Sequence, residues 1–284
     1  MLDVQNLRFG YPGGPEVIRG MTLSLERGSS LALVGENGSG KTTLARLLCG
    51  LLKPTAGVVR VGDADTANPQ RIYDIRRRVG IVFQDPDDQI VETTVERELG
   101  FGLRNLGLDV PEVGRRVDQA LDVFGIGHLR KRSCNLLSAG EKQTVTVASI
   151  YAMRPDYIIL DESTSLLDSV SRRKLIGVLD RLLEETGAGL AFISMRLEDV
   201  WLCDRVVFLK DGTIGFDGNK VEFLKYLKEH GHPLSGMARL ACELMDGVPG
   251  ITAKMAEWRE LSAAAVSETV IGLGGNREGG RTCR

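Results

Sequence analysis

The chain has 284 residues, of which 43% are hydrophobic and 26% charged, a composition typical of folded globular proteins that excludes a disordered or fibrous one. Its 36 basic and 38 acidic residues give a formal net charge of −2, so we expect no nucleic-acid partner. We also expect no membrane span and no export signal: no apolar run approaches roughly 18 residues, and the N-terminus lacks a basic-then-apolar pattern.

The first part of the chain carries signals for strands and then for a helix. Apolar and polar residues alternate over residues 2–25 on both sides of the segment YPGGP, which predicts two antiparallel strands joined by a turn. The continuous apolar run Leu31–Val34 predicts a strand buried on both faces. After a glycine-rich loop, leucines spaced i, i+3, i+4 and i+7 predict one face of a helix: Leu44, Leu47, Leu48 and Leu51.

The rest of the chain alternates between helical and strand-like patterns. The pattern is helical from Glu92 to about Phe124. Strand-like runs at residues 157–160, 190–194 and 205–209 are separated by helical stretches, which predicts a β-α-β-α-β unit with a parallel sheet. The segment KDGTIGFDG predicts a hairpin, and two short helices follow it. From about Ser262 the chain is rich in Ala, Ser and Gly, and we expect a disordered tail.

The segment GENGSGKT at residues 35–42 lies between the buried strand and the amphipathic helix, and it fits the phosphate-binding pattern G-x-x-x-x-G-K-[ST]. Its glycines let backbone N–H groups point at phosphate oxygens, at the positive end of a helix. We expect Lys41 to reach the β- and γ-phosphates of a nucleotide and Thr42 to offer its hydroxyl to Mg²⁺. The cradle alone is compatible with kinases, GTPases and many ATPases. The predicted nucleotide-binding residues of this cradle are Gly35, Glu36, Asn37, Gly38, Ser39, Gly40, Lys41, Thr42 and Thr43.

The segment YIILDE at residues 157–162 is an apolar strand that ends in two carboxylates. We expect Asp161, at the carboxyl end of the strand, to hold Mg²⁺ through water, and Glu162 to polarise an attacking water. This pair favours hydrolysis of ATP over phosphoryl transfer to a substrate. The alternative is a helix N-cap followed by an acidic residue in the first turn, and the presence of the phosphate cradle argues against it.

The segment LLSAGEKQ at residues 136–143 resembles the signature, usually LSGGQ, of the ATP-binding-cassette (ABC) ATPases, and the resemblance extends over about residues 2–225. It implies that two cassettes close over two ATP molecules, so that neither subunit owns a complete site. It also implies residue roles: Tyr11 stacks on adenine, Gln84 senses Mg²⁺ as a catalytic and metal-site residue, Ser138 and Gly140 touch the opposing subunit's γ-phosphate, and Asp168 lies at the dimer interface.

The resemblance further implies an α/β fold with a P-loop NTPase (RecA-like) core and an antiparallel β subdomain, together at residues 1–83 and 137–225. An α-helical subdomain occupies residues 84–136 and contains Gln84 and the entry to the signature. A short helical C-terminal extension at residues 226–261 and the tail at 262–284 complete the expected division of the chain.

Two segments, VFQDPDDQI and TTVERELGFGL, most resemble the ATPase subunits of energy-coupling-factor importers, which drive uptake of vitamins or of cobalt and nickel ions. This resemblance implies a peripheral protein at the cytoplasmic face of the cell membrane. The implied partners are a second ABC ATPase in a hetero- or homodimer, a transmembrane coupling protein and a separate substrate-binding membrane subunit.

The signature departs from the family pattern, because it reads LSAGE rather than LSGGQ. Ala139 replaces a glycine; it suits a helix start, yet its methyl group stands where the backbone approaches phosphate. Glu141 adds a negative charge near the opposing γ-phosphate unless its carboxylate points to solvent. Drift with little effect and a weakened site in the opposing subunit therefore both stay open. Ser163, in place of the usual proline, is a milder change.

A second departure lies in the segment FISMRLEDV at residues 192–200. Met195 aligns with the histidine with which family members end this strand and which hydrogen-bonds the γ-phosphate. A thioether is at best a weak acceptor and cannot donate a proton, so Met195 is a non-functional substitution that we expect to pack at the strand end. Loss of such a positioned polar group typically costs about 10²–10⁴-fold in rate, so we expect ATP binding with slow hydrolysis.

Three functions fit these patterns. The leading one is the motor subunit of an ATP-driven importer, paired with an unlike cassette whose intact motifs complete a more competent site. The second is a regulatory or structural ABC subunit that binds ATP with negligible hydrolysis. The third is a soluble ABC ATPase acting on nucleic acid, against which the nearly neutral charge and the lack of a long insertion between cradle and signature both argue.

Overall fold

The computed structural model describes residues 1–164, 167–195, 197–232, 236–247 and 255. The first half contains β1 (Leu2–Gly10), β2 (Glu16–Leu25), β3 (Ser30–Gly35), α1 (Lys41–Leu48), β4 (Ala56–Val61), β5 (Ala64–Asp65), α2 (Ile72–Arg78), β6 (Val79–Val82), α3 (Val95–Asn105) and α4 (Val110–Phe124). The second half contains α5 (Ala139–Met153), β7 (Tyr157–Asp161), α6 (Ser169–Thr186), β8 (Gly189–Ile193), α7 (Leu197–Val200), β9 (Arg205–Lys210), β10 (Thr213–Gly218), α8 (Lys220–Glu229) and α9 (Gly236–Gly247).

One sheet is antiparallel, with the strand order β2-β1-β4-β5. The predicted pair β1 and β2 is confirmed, and Val4 lies opposite Leu23 in it. Alternate residues of β1 are buried because one face of the sheet packs against the core. β4 and β5 were not predicted from the sequence; β4 pairs with the other edge of β1, where Val4 lies opposite Val59.

The central sheet has the order β10-β9-β3-β8-β7-β6, and its five strands from β9 to β6 run parallel. β7 and β8 are buried throughout, as a sheet covered on both faces requires. The predicted parallel sheet is therefore confirmed, and so is the hairpin, which joins the antiparallel strands β9 and β10 through Asp211 and Gly212. The edge strand β6 was not predicted.

The parallel pairing brings three loops to one edge of this sheet. Leu33 of β3 and Asp161 of β7 are both in register with Ile193 of β8. The segments that follow these three strands therefore leave the sheet at the same edge, which is where ligands bind in open α/β sheets. The phosphate cradle, the Asp161–Glu162 pair and Met195 all lie at the ends of these strands or on the segments that follow them.

The central sheet separates two hydrophobic clusters. On one face, alternate residues of β3 such as Ala32 and Val34 pack with the helices α3, α4, α5 and α6. On the other face, Leu31 and Leu33 pack with α1 and with the antiparallel sheet. Because successive residues of a strand point to opposite faces, the continuous apolar run of β3 serves both clusters. The α/β class expected from the sequence is confirmed.

Two helical predictions need correction in detail. The helical pattern of residues 92–124 forms two helices, α3 and α4, because Gly107 adopts a left-handed φ of 74° and Asp109 caps the second helix. In α4, Val117 is buried. The prediction that Leu51 lies on the buried face of α1 is wrong, because the helix ends at Leu48 and Leu51 is 44% exposed.

The two short helices expected after the hairpin are α8 and α9. Asn219 caps α8 in a capping box with Glu222, and Phe223 of this helix lies against Phe208 and Phe216 of the hairpin. The end of the expected C-terminal extension and the expected tail at 262–284 lie outside the described residues. Among the described residues, no helix is long and apolar enough to cross a membrane.

Candidate nucleotide-binding site

The phosphate cradle connects β3 to α1, and close packing explains two of its glycines. Gly35 has a φ of 158°, and a Cβ there would lie 2.4 Å from the backbone oxygen of Leu209 on the neighbouring strand. Gly40 has a φ of 103°, and a Cβ there would lie 2.7 Å from the Ile18 side chain. Larger residues at either position would push the loop away from the sheet. Between them, Glu36, Asn37 and Gly38 are exposed.

Lys41 crosses the mouth of the cradle and is itself buried. Its Nζ donates hydrogen bonds of 2.9 Å to the backbone oxygens of both Gly35 and Glu36. Burial lowers the pKa of Lys41, and the nearby carboxylates of Glu162 and Asp161 partly oppose that shift. The side chain is thus a poorly solvated donor, and its ammonium group would gain from contact with an anion such as phosphate.

Thr42 and Asp161 meet beside the cradle, although 119 residues separate them in sequence. The Thr42 hydroxyl donates a 3.3 Å hydrogen bond to the Asp161 carboxylate, which is 2% exposed. Burial raises the pKa of Asp161, and the Thr42 hydrogen bond opposes the rise. Both side chains line a cavity of about 610 Å³ together with Gln84.

The oxygen donors of this cavity suit a hard cation. Thr42 offers a hydroxyl, Asp161 a carboxylate and Gln84 an amide oxygen, and Mg²⁺ prefers such ligands while keeping part of its water shell. No group of three acidic, His or Cys side chains able to hold a metal occurs within the described residues. The donor set therefore fits an ion that nucleotide phosphates share with the protein rather than one caged by protein alone.

Glu162 is held in an uncommon backbone conformation beside this cavity. It is a non-glycine residue with a left-handed φ of 50°, and its N–H donates a 3.0 Å hydrogen bond to the Ile193 oxygen of β8. Its carboxylate accepts a 3.1 Å hydrogen bond from the Gln84 amide. Residues kept in sparsely populated φ/ψ regions concentrate at active sites, where the surrounding structure fixes them.

Met195 lies two residues beyond the Ile193 carbonyl to which Glu162 is bound. Its side chain is 49% exposed, so the expectation that it packs at the strand end is wrong. The reason is that β8 ends at Ile193 and the chain has already turned towards the surface. The histidines of the chain lie at 128, 230 and 232, in or beside other elements.

Tyr11 lies beside the cradle helix. Its hydroxyl is 3.2 Å from the Thr43 hydroxyl, and its ring meets Phe9 edge-on at 5.0 Å. The ring is held by these two contacts yet remains 40% exposed. An aromatic face with such support is suited to stacking on a base, the role that the sequence predicts for it.

The signature segment begins α5, and it explains where Glu141 points. The Ser138 hydroxyl caps the helix by accepting a hydrogen bond from the Glu141 N–H. In return the Glu141 carboxylate accepts a 2.8 Å hydrogen bond from the Ser138 N–H and pairs with Arg132. The hydrogen bonds from Ser138 lower the pKa of Glu141. The Glu141 carboxylate is therefore bound to the Ser138 N–H at the helix start and to Arg132.

Asp168 caps another helix, α6. One of its carboxylate oxygens accepts hydrogen bonds of 2.8 Å from the Val170 N–H and 2.9 Å from the Ser171 N–H. These hydrogen bonds lower the pKa of Asp168, whose side chain is exposed. Ser165 and Leu166, which precede it, lie outside the described residues.

The predicted site residues fall into two groups. Lys41, Thr42, Gln84, Asp161 and Glu162 converge at the carboxyl edge of the central sheet. A separate cavity of about 630 Å³ between α4, α5 and α6 is lined by other predicted residues: Ser138, Gly140 and Asp168. Of the signature, only Ala139 reaches the first cavity.

Some residues of the first cavity were missed in the sequence. Arg46 lines it from one turn beyond Thr42 on α1, and Asp85 and Asp88 line it from the segment after Gln84. Arg46 has a signal that could have been used, because the spacing i, i+4 places it on the same helix face as Thr42. Nothing local distinguishes Asp85 and Asp88 from solvent-facing acids.

Known proteins resemble this chain in sequence and in structure. The family profile described as ABC transporter matches residues 18–165. The energy-coupling factor transporter ATP-binding protein EcfA1 of Caldanaerobacter subterraneus is 38% identical over 86% of this chain and 91% of its own length. The cobalt import ATP-binding protein CbiO of Syntrophus aciditrophicus is 42% identical over 75% of this chain and 76% of its own length.

A solved structure agrees with these relatives. The cbiO1 protein of Clostridium perfringens, described as part of the ABC transporter complex cbiONQ, superposes with a TM-score of 0.73 at 30% identity. The superposition covers 89% of this chain and 98% of that one. The phosphate cradle lies on a parallel sheet, and cassette proteins match most of the chain. The chain therefore belongs to the ABC transporter family of ATPases.

Proposed function

We propose that the chain is the ATP-hydrolysing motor subunit of an energy-coupling-factor-type importer for a vitamin or for cobalt or nickel ions. The carrying observation is the convergence of Lys41, Thr42, Gln84, Asp161 and Glu162 at one sheet edge. Relatives named as energy-coupling-factor and cobalt-import ATP-binding proteins, similar over 75–86% of this chain, support the transport assignment.

In this proposal the cradle binds ATP, and Asp161 and Glu162 have different roles in its hydrolysis. Lys41 turns from the loop carbonyls to the β- and γ-phosphates, and Thr42, Gln84 and Asp161 would hold Mg²⁺ with the nucleotide. Bound there, Mg²⁺ would neutralise charge on the phosphates. Glu162 accepts a proton from the attacking water, and its hydrogen bond to Gln84 ties that base to the loop that contacts the membrane partner.

Hydrolysis at this site is slow in the proposal, because Met195 supplies no proton donor beside the γ-phosphate. A missing positioned polar group costs on the order of 10²–10⁴-fold in rate. Lys41 Nζ and the Glu162 N–H donate to backbone oxygens, and the Glu162 carboxylate accepts from Gln84, so none of these contacts runs through Met195. ATP binding is therefore retained while turnover falls.

The second ATPase subunit is an unlike cassette in this proposal. The exposed residues Tyr11, Ser138, Ala139 and Asp168 are available to a facing subunit. Ser138 and Gly140 line a different cavity from Thr42 of the cradle, which supports a role at the partner's nucleotide rather than at their own. A partner with an intact histidine would then hold the faster of the two sites.

The membrane coupling protein docks on the helices in this proposal. A groove of about 490 Å³ is lined by Tyr73, Phe101 and Met153, and the first two are 51% and 40% exposed. Gln89 lines the same groove, and its side-chain amide bonds the backbone of Ile81 and Phe83, next to Gln84. Docking here would thus reach the site through Gln84. The chain lies at the cytoplasmic face of the membrane, and a separate membrane subunit selects the cargo.

The test is reconstitution in vesicles with a coupling protein, a substrate-binding membrane subunit and a second cassette that has an intact histidine. We expect ATP-dependent uptake of labelled vitamin, cobalt or nickel, and far slower ATP hydrolysis by this chain alone. A purified chain that formed an ATP-dependent homodimer and hydrolysed ATP as fast as ordinary cassettes would rule out the unlike partner. Absence of any uptake with every cargo would rule out the transport role.

A second candidate is a regulatory or structural ABC subunit with negligible hydrolysis, and the half-exposed thioether of Met195 is the observation that favours it. The substitution Met195→His, measured with the partner present, separates the two: unchanged turnover supports this candidate. A soluble ABC ATPase acting on nucleic acid would instead bind DNA or RNA in a salt-sensitive manner, which the net charge of −2 does not favour.

A further inference from the structure

A buried polar network lies directly behind Met195. Ser194, the preceding residue, is 5% exposed, and its hydroxyl donates a hydrogen bond to the Asp199 carboxylate. Asp199, on α7, is fully buried and forms an ion pair with Arg172 of α6. The network therefore joins the turn that carries residue 195 to the helix that Asp168 caps.

The two charged side chains of this network are largely buried. The Asp199 side chain is 1% exposed and that of Arg172 is 17% exposed, so neither charge has ready access to water. A buried charge needs a partner and hydrogen bonds to satisfy it, and removal of one partner leaves the other uncompensated. Asp199 can meet this requirement only while α6, α7 and the turn at Ser194 keep their present relative positions.

Both ends of the network are fixed to catalytic segments. At one end, the Ser194 N–H donates a 3.3 Å hydrogen bond to the Leu33 oxygen, two residues before the cradle. The adjoining Ile193 oxygen accepts the Glu162 N–H. At the other end, the Arg172 N–H donates a 2.9 Å hydrogen bond to the Asp168 oxygen in the first turn of α6. The predicted dimer-interface residue is thus one helical turn from the arginine.

The element between them is anchored in the core. Val200 and Trp201, directly after Asp199, are fully buried. The buried Lys220 donates a 3.4 Å hydrogen bond to the Trp201 oxygen. Asp199 is therefore held from its C-terminal side as well, and its carboxylate presents a fixed acceptor to Ser194.

We propose that Asp199 and Arg172 are positioning residues, which set the turn carrying residue 195 relative to Glu162 and link that turn to the start of α6. The turn keeps its geometry with methionine at 195 because backbone and buried network hold it, not the side chain at that position. The activity arm of the test rests on the proposed function, in which Met195 limits hydrolysis; the structural arm does not.

The structural arm uses methyl-¹³C-methionine NMR of the full chain, in which Met195 is one of seven methionines and is assigned from Met195→Leu. Asp199→Asn keeps the size of the side chain and removes its charge. We expect it to move the Met195 methyl signal clearly, by more than its linewidth. The matched control is Asp204→Asn, since the Ser30 hydroxyl donates to Asp204 at 2.7 Å at the opposite end of β3. The control should leave the Met195 signal in place.

The activity arm compares Met195→His with and without Asp199→Asn, in complex with the second cassette. We expect the histidine to raise kcat at least tenfold when Asp199 is present and less than threefold in the Asp199→Asn background. In the Asp204→Asn background the gain should again be at least tenfold. The KM for ATP should stay unchanged throughout. If Asp199→Asn does not fold, Arg172→Lys takes its place, because it keeps the charge but loses the planar guanidinium.

The outcomes separate the two proposals. A Met195 signal that Asp199→Asn leaves unmoved, or an equal gain from histidine in both backgrounds, overturns the positioning role. A moved signal together with no gain from histidine supports the positioning role and contradicts slow hydrolysis as the effect of Met195.

Discussion

The Gln84 amide donates a 3.1 Å hydrogen bond to the Glu162 carboxylate across 78 residues of sequence. Gln84 follows the edge strand β6, and Glu162 follows the neighbouring strand β7. The groove residue Gln89 fixes the backbone on the Gln84 side, and Ile193 fixes the backbone on the Glu162 side. One hydrogen bond thus connects the groove on the helices to Glu162, the residue that we propose activates water.

Glu162→Gln should lower kcat for ATP by at least about 10²-fold, because the amide cannot accept the proton of the attacking water. ATP affinity should not fall, since the lost carboxylate charge lies near Lys41, where it would repel the phosphates. Steady-state hydrolysis and equilibrium nucleotide binding measure the two quantities. The control is Glu26→Gln, an exposed carboxylate before the amino end of β3. A variant that hydrolysed ATP at the wild-type rate would remove Glu162 from catalysis.

Lys41 gives a pH dependence whose sign follows from its lowered pKa. Burial favours the neutral amine in the folded chain, so between the lowered pKa and the ordinary value of 10.5 the unfolded chain binds more protons. The free energy of unfolding should therefore gain a rising contribution with pH in that window, and Lys41→Met should remove it. ATP affinity should fall over the same window as the charge is lost.

Denaturant unfolding at a series of alkaline pH values measures this contribution as the difference between wild type and Lys41→Met. Lys53→Met, at an exposed lysine, should follow the wild-type curve. A Lys41→Met curve parallel to that of the wild type would contradict the burial of the ammonium group.

Glu141→Gln should leave the free energy of unfolding nearly unchanged, because glutamine also completes a capping box with Ser138. Glu141→Ala should lower it by about 0.3–1.5 kcal/mol, the usual contribution of one capping interaction. Urea unfolding of the two variants makes the comparison. Equal losses for Gln and Ala would mean that the carboxylate charge, not the cap, stabilises the helix start.

Phe101→Asp should weaken binding of the membrane coupling protein at least tenfold, because it places a charge in the apolar groove. Nucleotide binding should not change, since Phe101 lies on α3, away from the cradle. Val110→Asp is the control, as Val110 is 85% exposed and does not line the groove. Binding to the purified coupling protein in detergent measures the effect, and equal affinities of the two variants would place the docking surface elsewhere.

Much of this architecture was predictable because its signals are local. The cradle lies between an apolar run and an amphipathic helix, and the Asp161–Glu162 pair ends another apolar run. The strand β6 was missed because it has only four residues and directly follows three arginines. So short a stretch shows no recognisable strand pattern. The Ser138–Glu141 capping box is a local S-x-x-E pattern that could have been recognised.

Other features depend on contacts that no local pattern encodes. The pairing of Gln84 with Glu162 follows from the adjacency of β6 and β7. The Arg172–Asp199–Ser194 network joins three elements, and in the sequence these are isolated polar residues with no shared pattern. The exposure of Met195 depends on where β8 ends, a boundary that periodicity fixes poorly.

We propose that Met195 alone slows ATP hydrolysis at a site whose base and cradle are intact. The direct measurement is kcat for ATP of Met195→His in complex with the second cassette, beside Met195→Leu as an apolar control. We expect a rise of at least about tenfold for histidine and none for leucine, since only histidine can donate a hydrogen bond to the γ-phosphate. An unchanged kcat for Met195→His would contradict it.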